Sequence, residues 1–160
     1  AFELDAKAKT PLSYKSSNKK VCKVNSKGKV TIMGMGTAKI TVTAKATVSY
    51  KKATRTVTVT VKRLKGTSFI DADRVSSSKA FVSWTENSKA DGYEIQCSRT
   101  KSFADSVTKK NKLTFTQVEW ANVVKLKKNQ EYYLRIRTYK TVAGKKYYST
   151  WSKVKKVSST

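Results

Sequence analysis

Thr54 to Val61 reads TRTVTVTV, a strict alternation. Val57, Val59 and Val61 fall on one face, and Thr56, Thr58 and Thr60 on the other. Successive side chains of an extended chain point to opposite sides, so this run is a strand with one apolar and one wet face. β-Branched residues fit such a strand because the pleated surface accommodates their stiff side chains. An apolar sheet face must be covered by a second layer. Nothing in the chain repeats at helical period over four turns, and Pro11 is the one proline. The second layer is therefore expected to be another sheet.

The run ends at KRLKGTS, Lys62 to Ser68, a short basic segment with one glycine. Before it stand PLSYKS, VCKV, KVTIM and TAKITVTA, separated by SNKK, NSKG and GMG. After it come AFVSW, GYEIQCS, KLTFTQVEW, YYLRIRTY and KYYSTWSKVKKV, joined by polar links. Asn, Ser and Gly stand where the chain must reverse. Strands about 8–12 residues apart with no helix between them favour antiparallel sandwiches. The expected fold is all-β: two tandem antiparallel β-sandwiches, residues 1–62 and 67–160, with residues 63–66 as linker. No apolar run is long enough for a transmembrane helix. The chain begins with Ala rather than Met and is expected to be a piece of something longer.

Gly34-Met35-Gly36 invites comparison with a phosphate-binding loop. Such a loop leads from a strand into a helix, whose first N–H groups hold the anion. Here KVTI leads into TAKITVTA, strand to strand, so the glycines are expected to turn a corner.

Catalytic chemistry finds little support. The chain has no histidine, which removes the commonest general base and metal ligand and leaves the many serines without an activator. Cys22 and Cys97 form no C-x-x-C motif and sit in alternating runs, as small buried hydrophobes would. A disulfide between them would have to bridge the two domains and is not expected. Asp71-Ala72-Asp73 places two carboxylates close together. Both point to the same side of a strand, but calcium takes six to eight oxygens, so a solvated strand edge is the better reading. Nothing points to the paired carboxylates of a glycosidase cleft. No catalytic residue, cofactor or metal site is expected.

LSYKSSNKKVCKVNSKGKVTIMGMGTAKITVTA carries a family pattern. It runs from Tyr14 through Ser16-Ser17-Asn18, Val21 and Val24, and Gly28 to Gly36-Thr37-Ala38, Ile40 and Val42. Residues 2–61 resemble the bacterial immunoglobulin-like group 2 family. Members begin one strand earlier than Ala1, so the first strand is expected to be missing or its edge to be covered by another element. The rest of the chain, most of residues 67–159, resembles a fibronectin type III domain. Trp84 stands at the core tryptophan of the second strand, and Tyr93 and Ile95 fit the next one. Leu126 lies six residues before Tyr132, the spacing of the type III tyrosine corner, in which the tyrosine hydroxyl donates to upstream backbone. Both sandwiches are thus expected to be immunoglobulin-like. The resemblances imply a non-catalytic structural or adhesion module of a surface or secreted protein from a thick-walled bacterium, outside the cell or at its surface. Two other readings stay open: the accessory region of a secreted carbohydrate- or peptidoglycan-degrading enzyme, and a specific host-protein or glycan binder.

Lysine and arginine number 35 against 10 acidic residues, a net charge of +25. Basic residues interleaved with aromatics in YYLRIRTYKTVAGKKYYSTW would suit single-stranded nucleic acid. Alternation from Tyr132 offers another use for them. Tyr132, Leu134 and Ile136 point inward, and Tyr133, Arg135, Arg137 and Tyr139 outward. YSTWS, Tyr148 to Ser152, resembles the Trp-Ser-x-Trp-Ser box of some type III domains, where outward arginines stack between the box aromatics. Arg135, Arg137, Tyr148 and Trp151 are accordingly expected to form an intramolecular cation–π ladder. Residues 1–62 hold 14 basic and 2 acidic side chains, and residues 63–160 hold 21 and 8. So even a spread fits a lysine coat that attracts anionic cell-wall polymers better than a dedicated nucleic-acid groove. A host protein or glycan remains a candidate partner, and a monomer is expected.

Overall fold

The computed structural model of the chain describes residues 1–104, 112–115 and 119–158, and every element among them is a strand. The chain divides into two compact units, one built on Ala1–Arg63 and the other on Leu64–Thr141 and Lys146–Thr160.

The first unit has six strands: β1 (Phe2–Glu3), β2 (Leu12–Ser16), β3 (Cys22–Val24), β4 (Lys29–Ile32), β5 (Gly36–Ala44) and β6 (Ala53–Val61). They form two antiparallel sheets, ordered β1-β4-β3 and β2-β5-β6. Strand β6 is the alternating Thr/Val run, and it pairs with β5 from Ala44↔Ala53 to Gly36↔Val61. Val59 and Val61 of β6 pack against a core of Val21, Cys22, Val30, Ala38 and Ile40. The short β1 pairs with β4 through Phe2↔Val30 and Glu3↔Lys29.

Ser16-Ser17-Asn18 ties the two sheets of this unit together. Ser16 Oγ donates to the Cys22 carbonyl at 2.8 Å, linking the edge strands β2 and β3. Ser17 Oγ accepts the Lys39 N–H at 2.8 Å. The Asn18 carbonyl accepts the N–H groups of Val21 and Cys22, both at 3.1 Å. Gly34-Met35-Gly36 carries the chain from β4 in one sheet to β5 in the other. The N–H groups of Met33 and Gly34 both donate to the Val21 carbonyl, at 2.8 and 3.2 Å. The glycine pair is therefore a sheet-to-sheet turn folded onto its own backbone.

The second unit has eight strands: β7 (Phe69–Ser76), β8 (Lys79–Trp84), β9 (Gly92–Ser98), β10 (Lys112–Phe115), β11 (Trp120–Val124), β12 (Tyr132–Val142), β13 (Lys145–Tyr148) and β14 (Lys155–Val157). One sheet is ordered β11-β8-β7 and the other β10-β9-β12-β13, with β14 also paired to β12. Trp84, Tyr93, Ile95, Leu134, Ile136 and Val157 fill the core between them. Trp84 and Tyr93 rings meet at 5.2 Å between centroids.

Two runs divide differently from the sequence reading. KLTFTQVEW does not stay in one sheet: Lys112–Phe115 is β10 on β9, while its last residue, Trp120, opens β11 on β8, because alternation does not name the partner strand. KYYSTWSKVKKV is β13 and β14 with Ser149–Val154 outside any strand. Cys22 and Cys97 are both buried and free, one in each unit. Burial pushes the Cys97 thiol up to about 12, so it stays protonated. Asp71 and Asp73 are exposed on the edge strand β7.

Gly36 has φ of +124°, and a Cβ built there would lie 3.1 Å from Val21 Cγ2. A non-glycine residue in this backbone region costs on the order of 1–3 kcal/mol. Gly36→Ala is therefore expected to lower the melting midpoint of the first unit by roughly 4–8 °C per kcal/mol lost, leaving that of the second unit in place. Calorimetry that resolves the two transitions checks this.

Candidate functional site

The outward face of β9 and β12 is the most organised part of the surface described. The two strands pair so that Arg137 lies opposite Glu94 and Arg135 opposite Gln96. Alternation puts Tyr93, Ile95, Leu134 and Ile136 in the core and turns these four polar residues to the other side. Arg137 donates through Nε and Nη2 to Glu94 Oε1, at 2.9 and 2.6 Å. Arg135 Nε donates to Gln96 Oε1 at 2.8 Å.

These bonds hold both guanidiniums in fixed positions, and aromatic rings stack on them. Arg137 lies 3.8 Å from the Tyr148 ring centroid and 4.2 Å from that of Trp151. Arg135 lies 4.6 Å from Trp151 and 4.2 Å from Phe103. The sequence along the face is thus Phe103, Arg135, Trp151, Arg137, Tyr148. Tyr139 continues it, 6.1 Å from Tyr148 and with Lys146 Nζ 4.0 Å from its own ring. Each such contact contributes about 0.5–2 kcal/mol, more where water is excluded. Burial, and next the neighbouring Arg137, lower the pKa of Arg135. It remains charged, since no protein environment deprotonates a guanidinium near neutrality.

YSTWS is held to β12 by its two serines. The Ser149 N–H donates to the Thr138 carbonyl at 3.0 Å, and Ser149 Oγ accepts the Thr138 N–H at 3.1 Å. Ser152 does the same with Ile136, at 2.8 and 3.1 Å. Each hydroxyl also donates to the next carbonyl, Thr150 or Lys153, at 2.8 Å. A serine hydroxyl here replaces the carbonyl of a paired strand, so the chain from Ser149 through Trp151 can leave strand geometry without orphaning β12 N–H groups.

At one end of the unit, the Lys127 N–H donates to Tyr132 Oη at 3.0 Å. The hydroxyl was expected to donate to upstream backbone. It serves as acceptor because the corner presents an N–H to it. Leu126 is buried there. The same corner is braced by Arg74, which donates to the carbonyls of Gln130 and Lys127 at 2.9 and 2.7 Å and lies 5.9 Å from the Tyr132 ring.

Five residues of these clusters escaped the sequence reading: Glu94, Gln96, Phe103, Lys146 and Arg74. The alternation of GYEIQCS places Glu94 and Gln96 outside, but it does not say which strand faces them. Phe103 lies in a loop at φ of +56°, a region that bulky residues avoid. Its ring caps Arg135 from that position. Among the described residues, no group of three or more His, Cys, Asp or Glu could hold a metal ion.

The geometry defines a class first: two all-β, immunoglobulin-like sandwich units in tandem. Residues 65–155 match the fibronectin type III domain family, more than half the chain, and the chain belongs to that family. Residues 6–47 match the intimin immunoglobulin-like domain, which completes an immunoglobulin-like unit followed by a type III unit. Domains of these families are generally non-catalytic adhesion or spacer modules. Among solved structures, a two-domain type III segment of chicken tenascin is 18% identical, with a TM-score of 0.51, over 98% of this chain and 88% of that one. The FN1–FN3 domains of chicken CNTN1 are 16% identical, with a TM-score of 0.48, over 94% of this chain. The chain spans only 57% of the length of that fragment. No curated protein matches the chain.

Glu94 is 1% exposed. Removing one member of a buried ion pair costs about 3–5 kcal/mol, because the other charge is left without compensation. Arg137→Ala is expected to fall in this range, and Arg135→Ala, facing neutral Gln96, to lose about 1–2 kcal/mol. The double variant Glu94→Gln/Arg137→Ala should recover part of the loss. Denaturant unfolding measures all three.

Asp91 supplies a pH dependence. Its pKa is lowered chiefly by the hydrogen bond from Lys140, then by the Thr141 N–H, against some desolvation. Its contribution is therefore complete above the unfolded-state value of about 3.9 and disappears as pH falls through the folded-state value. Because the pair is partly exposed, Asp91→Asn should cost at most about 1 kcal/mol at neutral pH. The two proteins should converge in stability as pH falls through the lowered folded-state value. Thermal melts from pH 7 to pH 2 follow this.

Proposed function

We propose that the chain is a non-catalytic spacer and adhesion segment of a bacterial surface or secreted protein, whose lysine coat meets anionic cell-wall polymers. The distribution of charge carries the reading. The excess is +12 over residues 1–62 and +13 over residues 63–160. Three of the six arginines, Arg74, Arg135 and Arg137, are engaged by the second unit's own carbonyls, carboxylate, amide and rings. The outward charge is therefore mostly lysine, a compact and well-hydrated cation. A diffuse coat of this kind favours association with any polyanion and selects no particular sequence or sugar.

The reading predicts salt-sensitive binding to a polyglycerol phosphate polymer. Affinity should fall steeply between 50 and 200 mM salt, and three Lys→Gln changes should weaken it similarly in either unit. Binding that resists salt, or that vanishes with one set of substitutions alone, would replace the coat by a discrete anion site.

A further inference from the structure

The outer face of the β11-β8-β7 sheet differs from the rest of the surface. Ala72, Ala80, Val82, Ala121 and Val123 of these strands enter the core. The residues between them form two rows that carry the rings and carboxylates, and a third of Ser76, Lys79 and Val124. Asp71 pairs with Ser83 and Ser83 with Trp120 in one row; Asp73 pairs with Phe81 and Phe81 with Asn122 in the next. Trp120 is 58% exposed. Its ring stacks on Phe81, with centroids 6.1 Å apart and planes 25° apart. The exposed Trp120 ring, backed by half-buried Phe81, is a flat platform, whereas a cage for an ammonium group needs walls around the cation.

Polar groups surround the rings. Ser83 Oγ donates to Asp71 Oδ2 at 3.2 Å, which leaves the other carboxylate oxygen as an acceptor. Asp73 and Asn122 are exposed beside Phe81. Asp91, Glu94 and Glu131 are ion-paired with Lys140, Arg137 and Lys156, while Asp71 and Asp73 make no ion pair among the described residues. Two such carboxylates against one lysine, Lys79, leave the paired rows of this face net negative on a +25 chain, which opposes a polyanion here.

From this we infer that the face is a binding platform for a glycan of hexopyranose rings bearing hydroxyl or amino groups and no acid groups. A sugar ring has an apolar face and a rim of hydroxyl donors. Trp120 and Phe81 match the first, and Asp71, Asp73 and Asn122 match the second. Charge excludes anionic sugars and favours amino groups. Size separates a glycan from a protein partner. The two rows span about 7 Å along the strands and about 10 Å across them, the footprint of one or two sugar rings. A stable protein interface needs about 800 Å² on each side, several times that footprint. The platform is independent of the lysine coat and stands even where polyanion binding fails.

The three tryptophans, Trp84, Trp120 and Trp151, give a direct readout through their indole N–H resonances. The ¹⁵N-labelled chain is titrated with β-1,4-linked hexamers of glucosamine, N-acetylglucosamine and glucose, and with heparin. The Trp120 resonance should shift saturably with at least one of the three hexamers and remain still with heparin. Those of buried Trp84 and stacked Trp151 should not follow it. Trp120→Ala should weaken binding about tenfold or more. Asp71→Asn/Asp73→Asn, which preserves shape, should weaken the glucosamine hexamer most. The inference fails if no hexamer moves Trp120 at millimolar concentration, if heparin moves it, or if Trp120→Ala binds as well as the parent. It also fails if the Trp120 shift follows protein concentration alone, which would make the face an interface between copies.

Discussion

A carboxylate buried on the outside of a sheet organises the second unit. Glu94 is almost fully covered, yet it sits on the face opposite the core. Arg137 compensates its charge, and the two hydrogen bonds to Oε1 fix the guanidinium in place. A fixed guanidinium has two flat faces, and Tyr148 and Trp151 lie against them. Trp151 in turn has a second face, which accepts Arg135, and Arg135 accepts Phe103. Each planar group is positioned by the one before it. The pairing also sets register: a slip of β9 against β12 by one residue would turn Tyr93, Ile95 and Cys97 to the outside and bury Glu94 in the core.

The local pattern of the chain was readable wherever the physics is local. Alternation in TRTVTVTV and YYLRIRTY specifies which side chains turn inward, because a strand has a period of two whatever it pairs with. Turn chemistry at Asn25–Gly28 and Gly34–Gly36 is local in the same sense. What stayed hidden depends on pairing between distant segments. Glu94 and Arg137 are 43 residues apart and meet only because β9 and β12 are neighbours. Arg74 reaches Gln130 across 56 residues. Phe103 carries no signal at all, since its loop position follows no period. That Trp120, at the end of KLTFTQVEW, belongs to the other sheet was hidden for the same reason, since alternation does not name the partner strand.

The two kinds of cation are used differently, and their hydration explains why. A guanidinium is planar and weakly hydrated, so it stacks on rings and donates to several carbonyls at little desolvation cost. Arg74, Arg135 and Arg137 all do so. An ammonium group is compact and strongly hydrated, and lysine keeps it in water even where its stem packs. Lys146 above Tyr139 is an intermediate case, with a cation–π contact at an exposed residue.

This division separates the surface into parts with different chemistry. Across β9 and β12 the outward charges are committed to one another and to rings, so the face is stiff and largely satisfied. Most lysines elsewhere are exposed, and an exposed ammonium attracts anions without selecting among them. The β11-β8-β7 face differs from both: Trp120 is exposed beside half-buried Phe81, and Asp71 and Asp73 form no ion pair among the described residues. In a chain with 35 basic residues, a carboxylate pair left outside the ion-pair pattern reduces the attraction that the coat provides. Beside an exposed tryptophan, the same pair supplies the hydrogen-bond acceptors that a flat ring alone lacks. Association through the coat and selection through the platform can then act on different polymers, because the charge that favours one opposes it at the other.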